Sequence, residues 1–76
     1  MEIDIFVKNF EELFEEIKVG SLKPLTKFRD IEEWSSLMAL AVIVMVREKY
    51  TVRLTGDDIR NSKTIKDLYN IMVTKK

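Results

Sequence analysis

The chain has 76 residues, with 13 basic and 13 acidic side chains and a formal charge of zero. It contains no cysteine and no histidine, which excludes disulfides, thiolate metal sites and the commonest general base. Neutrality also argues against general nucleic-acid binding, which draws on many phosphate contacts.

A length of this order predicts one domain over residues 1–76, with a small core. Phe6, Phe10, Leu13, Phe14 and Ile17 fall on one helical face, and Glu11, Glu12, Glu15 and Glu16 take the other. A first helix is therefore expected to run to about Lys18, with Gly20 as its stop and Pro24 beyond. Charge is unevenly spread: residues 1–18 carry six acidic and two basic groups, and residues 59–76 carry five basic groups and Asp67. The simplest reading is two complementary surface helices lying near each other.

Residues 19–35 show no helical stripe, yet Leu22, Leu25, Phe28, Ile31 and Trp34 recur every third residue. That spacing predicts a loop pinned to the core, with a short 3₁₀ turn near Asp30–Glu33.

Ten apolar residues follow, Leu37 to Val46. Val42, Ile43 and Val44 favour a strand by propensity. Length, the preceding serines and the charged end Arg47-Glu48-Lys49 favour a helix from Ser36 to about Lys49. Such a helix should be central and covered on most sides, with Val42, Val44 and Met45 in the core. A membrane span needs about 20 apolar residues. The acidic N-terminus shows no secretory signal. A soluble cytoplasmic protein is expected.

Tyr50, Val52 and Leu54 alternate with polar residues but have no partner strand, which predicts an extended loop burying Val52 or Leu54. Asp57-Asp58-Ile59-Arg60 suits one short helical turn. Thr64 with Asp67 forms a capping pattern ahead of the stripe Ile65, Leu68, Tyr69, Met72. The fold class is thus all-α: three main helices, a short third helix and a long first loop.

Without His or Cys, a Ser-His or Cys-His nucleophile is impossible. Two glycines cannot build a phosphate loop. The adjacent carboxylates Asp57-Asp58 and Glu32-Glu33 point apart on a helix. The protein is therefore not expected to be an enzyme, and any reactive group must be imported.

The stretch Glu33-Trp34-Ser35-Ser36-Leu37 is where one would attach. Ser35 suits the N-cap, its hydroxyl accepting a backbone N–H of the first turn. Ser36 would then be the first helical residue, its hydroxyl pointing outward at the positive end of the helix. That position suits a phosphate ester.

A serine opening a central apolar helix after a long pinned loop, in a helical domain of this size, resembles the acyl carrier protein family. The resemblance covers nearly the whole chain and is strongest from Phe28 to Met72. The family's Asp-Ser-Leu signature reads Ser35-Ser36-Leu37 here. Phe28 matches an aromatic of the preceding loop. Asp57, Asp58 and Ile59 match the short third helix, and Thr64-Ile65-Lys66-Asp67-Leu68 matches the start of the fourth. The resemblance implies a small four-helix bundle in which Ser36 carries 4′-phosphopantetheine from coenzyme A and Leu37 packs beside that arm. It implies acyl groups held as thioesters in fatty-acid, polyketide or related biosynthesis. Partners would be a phosphopantetheinyl transferase, acyl-transfer or synthase enzymes and the acyl chains, with no nucleic acid, no membrane and a monomeric carrier.

This sequence departs from the family in three respects. The signature Asp is Ser35, which keeps a cap and drops a charge. The usual Leu-Gly pair upstream is replaced by Glu32-Glu33-Trp34. The second helix, acidic in the family, offers only Glu48 between Arg47 and Lys49, although Asp30, Glu32 and Glu33 stand ready to restore negative charge beside the site. Two other readings stand beside the carrier. One is an unmodified helical interaction module with Trp34 as a core or interface anchor. The other is a nucleic-acid binder using Arg60, Lys63 and Lys66, which zero net charge and an acidic first helix disfavour.

Overall fold

Four helices follow one another in the computed structural model, which describes residues 2–75: α1 (Glu2–Glu11), α2 (Ser36–Tyr50), α3 (Gly56–Arg60) and α4 (Ile65–Lys75). A 3₁₀ turn, Phe28–Asp30, interrupts the long connection between α1 and α2. Among the described residues the only sheet-like pairing is an isolated bridge between Lys27 and Thr64. The fold is all-α, with three main helices, one short one and a long first loop.

α1 ends seven residues before the expected Lys18. Continuing it would stack Glu11 on Glu15 and Glu12 on Glu16, at the end of the helix whose dipole disfavours negative charge. The chain tightens instead, through Leu13 N–H to Phe10 O and Phe14 N–H to Glu11 O. The apolar periodicity outlasts the helix because Phe14 stays buried, and Leu13 and Ile17 half-buried, beyond its end. Gly20 is therefore no helix stop. It sits in the loop with φ 89°, where any side chain would be strained.

The Glu11 side chain organises that loop. It is 5% exposed and accepts the N–H of Gly20 at 2.8 Å and of Leu22 at 3.0 Å. The Leu22 N–H holds the carboxyl below its usual range, outweighing the upward push of burial. Further on, Lys66 N–H donates to Pro24 O at 2.8 Å and Ile65 N–H to Thr26 O at 3.2 Å. The loop is pinned as expected, with Leu22 and Phe28 buried and Ile31 and Trp34 half-buried. Leu25 is the exception and stands 71% exposed. The 3₁₀ turn falls two residues earlier than expected, where it drops Phe28 into the core.

Phe6, Phe10, Phe28, Val42, Val46, Leu54, Ile65, Leu68 and Met72 make the fully buried centre. Each such side chain contributes about 1.5–3 kcal/mol by leaving water. Both Val52 and Leu54 are buried, so the extended loop after α2 anchors at two points. Trp34 lies against Phe28 with ring centroids 4.8 Å apart and stacks nearly parallel to Phe10 at 6.2 Å. It is a core anchor under the loop. α1 and α4 do lie near each other, but three of the six acids behind the charge argument, Glu12, Glu15 and Glu16, fall beyond α1, and Lys76 lies outside the described residues.

α2 is not covered on most sides. Val42, Met45 and Val46 are buried, whereas Leu37, Leu40 and Val44 are 73%, 56% and 48% exposed. Val44 is thus a surface residue rather than core. Three neighbouring helices are too few and too short to wrap a fifteen-residue rod.

Candidate functional site

The start of α2 is built by its two serines acting differently. Ser35 has extended backbone angles, φ −157° and ψ 175°, and its Oγ accepts the N–H of Met38 at 3.3 Å. It is the N-cap. Ser36 is the first helical residue and is exposed. Ser35 spends its hydroxyl on the helix end, and Ser36 presents its own to solvent beside first-turn N–H groups that have no partner within the helix.

A cleft of about 470 Å³ opens next to Ser36, walled by Trp34, Ala39 and Ile43 on one side and Ile59 on the other. Arg29 and Arg60 also line it, and no carboxylate does among the described residues. Of the three acids expected beside the site, none lines this cleft: Glu33 accepts the Glu16 N–H at 3.3 Å, and Asp30 and Glu32 are exposed. Arg29 is a residue that sequence reasoning passed over. Its guanidinium donates to Ser62 O and Ile59 O at 2.6 Å each and to Arg60 O at 2.9 Å, so it caps the C-terminal end of α3. Its partners lie at least thirty residues away, which no local pattern could reveal. Arg60 pairs with Asp57 along α3.

α3 is fixed at both ends, which keeps the far wall of the cleft in place. Thr55 and Asp58 form a reciprocal capping box, with N–H to side-chain distances of 2.9 and 3.1 Å. Burial pushes the Asp58 carboxyl up, but Lys75 at 2.6 Å and the Thr55 N–H outweigh it and hold it low. The buried hydroxyl of Ser62 donates to Asp58 O at 2.8 Å. α4 opens with the expected Thr64–Asp67 pair, the Asp67 N–H donating to the Thr64 hydroxyl at 3.2 Å. The Lys63 and Thr64 N–H groups hold the Asp67 carboxyl below its usual range.

The solution structure of the holo acyl carrier protein from Geobacter metallireducens superposes on this chain with a TM-score of 0.77, at 23% identity. The match covers 96% of this chain and 83% of that one. The fold is that of an acyl carrier protein. No family model matches the sequence, and no curated protein is significantly similar to it.

On that acyl-carrier fold, an exposed hydroxyl beside free first-turn N–H donors suits a phosphate ester, and the apolar walls suit an aliphatic chain, while the two cleft guanidiniums are already engaged, Arg29 by carbonyls and Arg60 by Asp57. Leu37 lies 73% exposed beside Ser36, so no described residue shields that position. Among the described residues no cluster of carboxylates could hold a metal ion, and no helix is long and apolar enough to cross a membrane.

Proposed function

We propose that the chain is an acyl carrier protein, acting as a single monomeric cytoplasmic domain, and that Ser36 bears 4′-phosphopantetheine. The observation that carries this reading is the division of labour at α2: Ser35 holds the cap, leaving Ser36 exposed with an uncommitted position at the helix tip. The acyl-carrier fold of the chain supports it.

In the loading step the Ser36 oxygen forms a bond to the β-phosphorus of coenzyme A. The pyrophosphate linkage breaks, 3′,5′-ADP departs, and the hydroxyl proton goes to a base on the transferase. The added group supplies a terminal thiol, which this cysteine-free chain lacks, to hold acyl groups as thioesters. The chain's own residues do the rest. Ser35 fixes the helix end, the first-turn N–H groups would face the phosphate's negative charge, and Ala39, Ile43 and Ile59 would offer an apolar wall. Partner enzymes of fatty-acid, polyketide or related biosynthesis would meet an α2 surface bearing Leu37, Leu40 and Val44 in place of acidic residues.

Incubation with coenzyme A, magnesium and a broad-specificity phosphopantetheinyl transferase should add the mass of one phosphopantetheine. Ser36→Ala should abolish the gain and Ser35→Ala retain it. No gain with several transferases would turn the reading to an unmodified interaction module, for which the exposed apolar residues of α2 would be the contact surface.

A further inference from the structure

A second cleft lies on a different part of the molecule, where the N-terminal end of α1, the first loop and α4 meet. Its volume is about 730 Å³, and Ile3, Pro24, Leu25 and Tyr69 line it together with Lys23 and Lys66. None of these residues borders the cleft beside Ser36.

Leu25 is the telling residue. The threefold spacing of the loop would bury it, yet it is 71% exposed. Nor does it sit on a slack segment. Lys23 N–H donates to the Thr26 hydroxyl at 2.8 Å, Thr26 N–H to Lys23 O at 3.0 Å, and α4 holds the carbonyls of Pro24 and Thr26. The turn thus presents a leucine outward from a backbone that is bonded on both sides of it. An apolar wall already in place loses little conformational freedom when something covers it.

The two lysines give the cleft its sign. Both are exposed and border its lining, and neither makes an ion pair among the described residues; a lysine so placed can lend its aliphatic stem to an apolar wall and keep its ammonium in water. Glu2 is the one carboxylate in the lining, and it accepts the Tyr69 hydroxyl at 3.4 Å. Glu11, close enough to feel the Lys23 charge, has both oxygens occupied by loop amides.

We propose that this cleft binds a free carboxylate amphiphile, a medium-chain fatty acid, with its chain along Ile3, Leu25 and Tyr69 and its carboxylate between Lys23 and Lys66. The site is separate from Ser36 and independent of its loading. It would let the protein hold an unattached acid in addition to any covalently carried group.

Decanoate, kept below its micellar concentration, is titrated into the unloaded protein while amide NMR shifts are followed residue by residue. Saturable shifts should gather at Ile3, Leu25 and Tyr69. The double variant K23E/K66E, which keeps the Lys66 backbone bond to Pro24, should bind roughly tenfold more weakly with an unchanged melting temperature. Decyltrimethylammonium should not compete. Shifts that gather at Ala39, Ile43 and Ile59 would overturn the proposal, as would undiminished binding by the double variant or a response that never saturates. Vesicles of anionic phospholipid that bind where decanoate does not would also overturn it, by making the groove a membrane contact.

Discussion

The Oε2 of Glu11 accepts the backbone N–H of Leu22 at 3.0 Å, tying the end of α1 to a loop residue eleven positions on. With its other oxygen on Gly20, one buried carboxylate fixes the path of the chain as it leaves the helix. Glu11→Ala leaves two loop amides without their acceptor and should cost about 2–3 kcal/mol in urea denaturation. Because the folded carboxyl is held low, its contribution is complete above the ordinary carboxylate value of about 4.3 and fades as pH falls through the lower folded value. Asp67 adds a loss of the same sign. Stability measured from pH 6 downward should drop below about pH 4, and less steeply in Glu11→Gln. A parallel pH profile for the two proteins would contradict the assignment.

The serine pair should separate stability from chemistry. Ser35→Ala removes the side-chain acceptor of the Met38 N–H and should lower stability by about 1 kcal/mol. Ser36→Ala touches no hydrogen bond of the fold and should stay within about 0.5 kcal/mol of the parent protein. Paired thermal melts decide this without any transferase.

Arg29 joins the first loop to the C-terminal end of α3 through three carbonyls. Arg29→Ala should cost about 1 kcal/mol overall, discounted for exposure. Its sharper effect should be faster hydrogen exchange in α3 and at Ser62. Arg29→Lys should recover only part of the protection, because a single ammonium cannot span three acceptors as the planar fork does.

Thr51 closes α2 in the left-handed region, at φ 57° and ψ 36°. A β-branched residue is strained there, and glycine is the usual occupant. Thr51→Gly should therefore stabilise the protein by about 0.5–1 kcal/mol, net of glycine's greater freedom when unfolded. A loss of stability would show that the Thr51 side chain makes a compensating contact.

Those features divide by how far apart in the chain their causes lie. The α2 start, the Thr64–Asp67 cap and the short α3 were legible because each depends on residues within one turn of one another. The end of α1 was not, since Phe14 and Ile17 face the core from a non-helical backbone that preserves the helical spacing. Leu25 fits the same threefold pattern as Leu22 and Phe28, yet it is exposed on a turn held by the Lys23–Thr26 bonds and by bonds from α4, which no local spacing shows. Val42 and Val44 are alike in type and two positions apart, yet one is buried and the other is not. Which side of an all-apolar helix is covered depends on where its neighbours lie. At the candidate site the two serines could be read directly. The cleft and its arginines could not, because its lining joins the first loop, α2 and α3, residues as far apart as Arg29 and Arg60.

The single indole of the chain lies two residues before Ser36, stacked among phenylalanines and bordering the cleft. Its emission therefore comes from one known place, with no second fluorophore of its kind to confuse the signal. A group arriving at the tip of α2, or a chain sliding along Ala39 and Ile43, should shift that spectrum in real time, so the unlabelled protein carries its own optical gauge of occupancy.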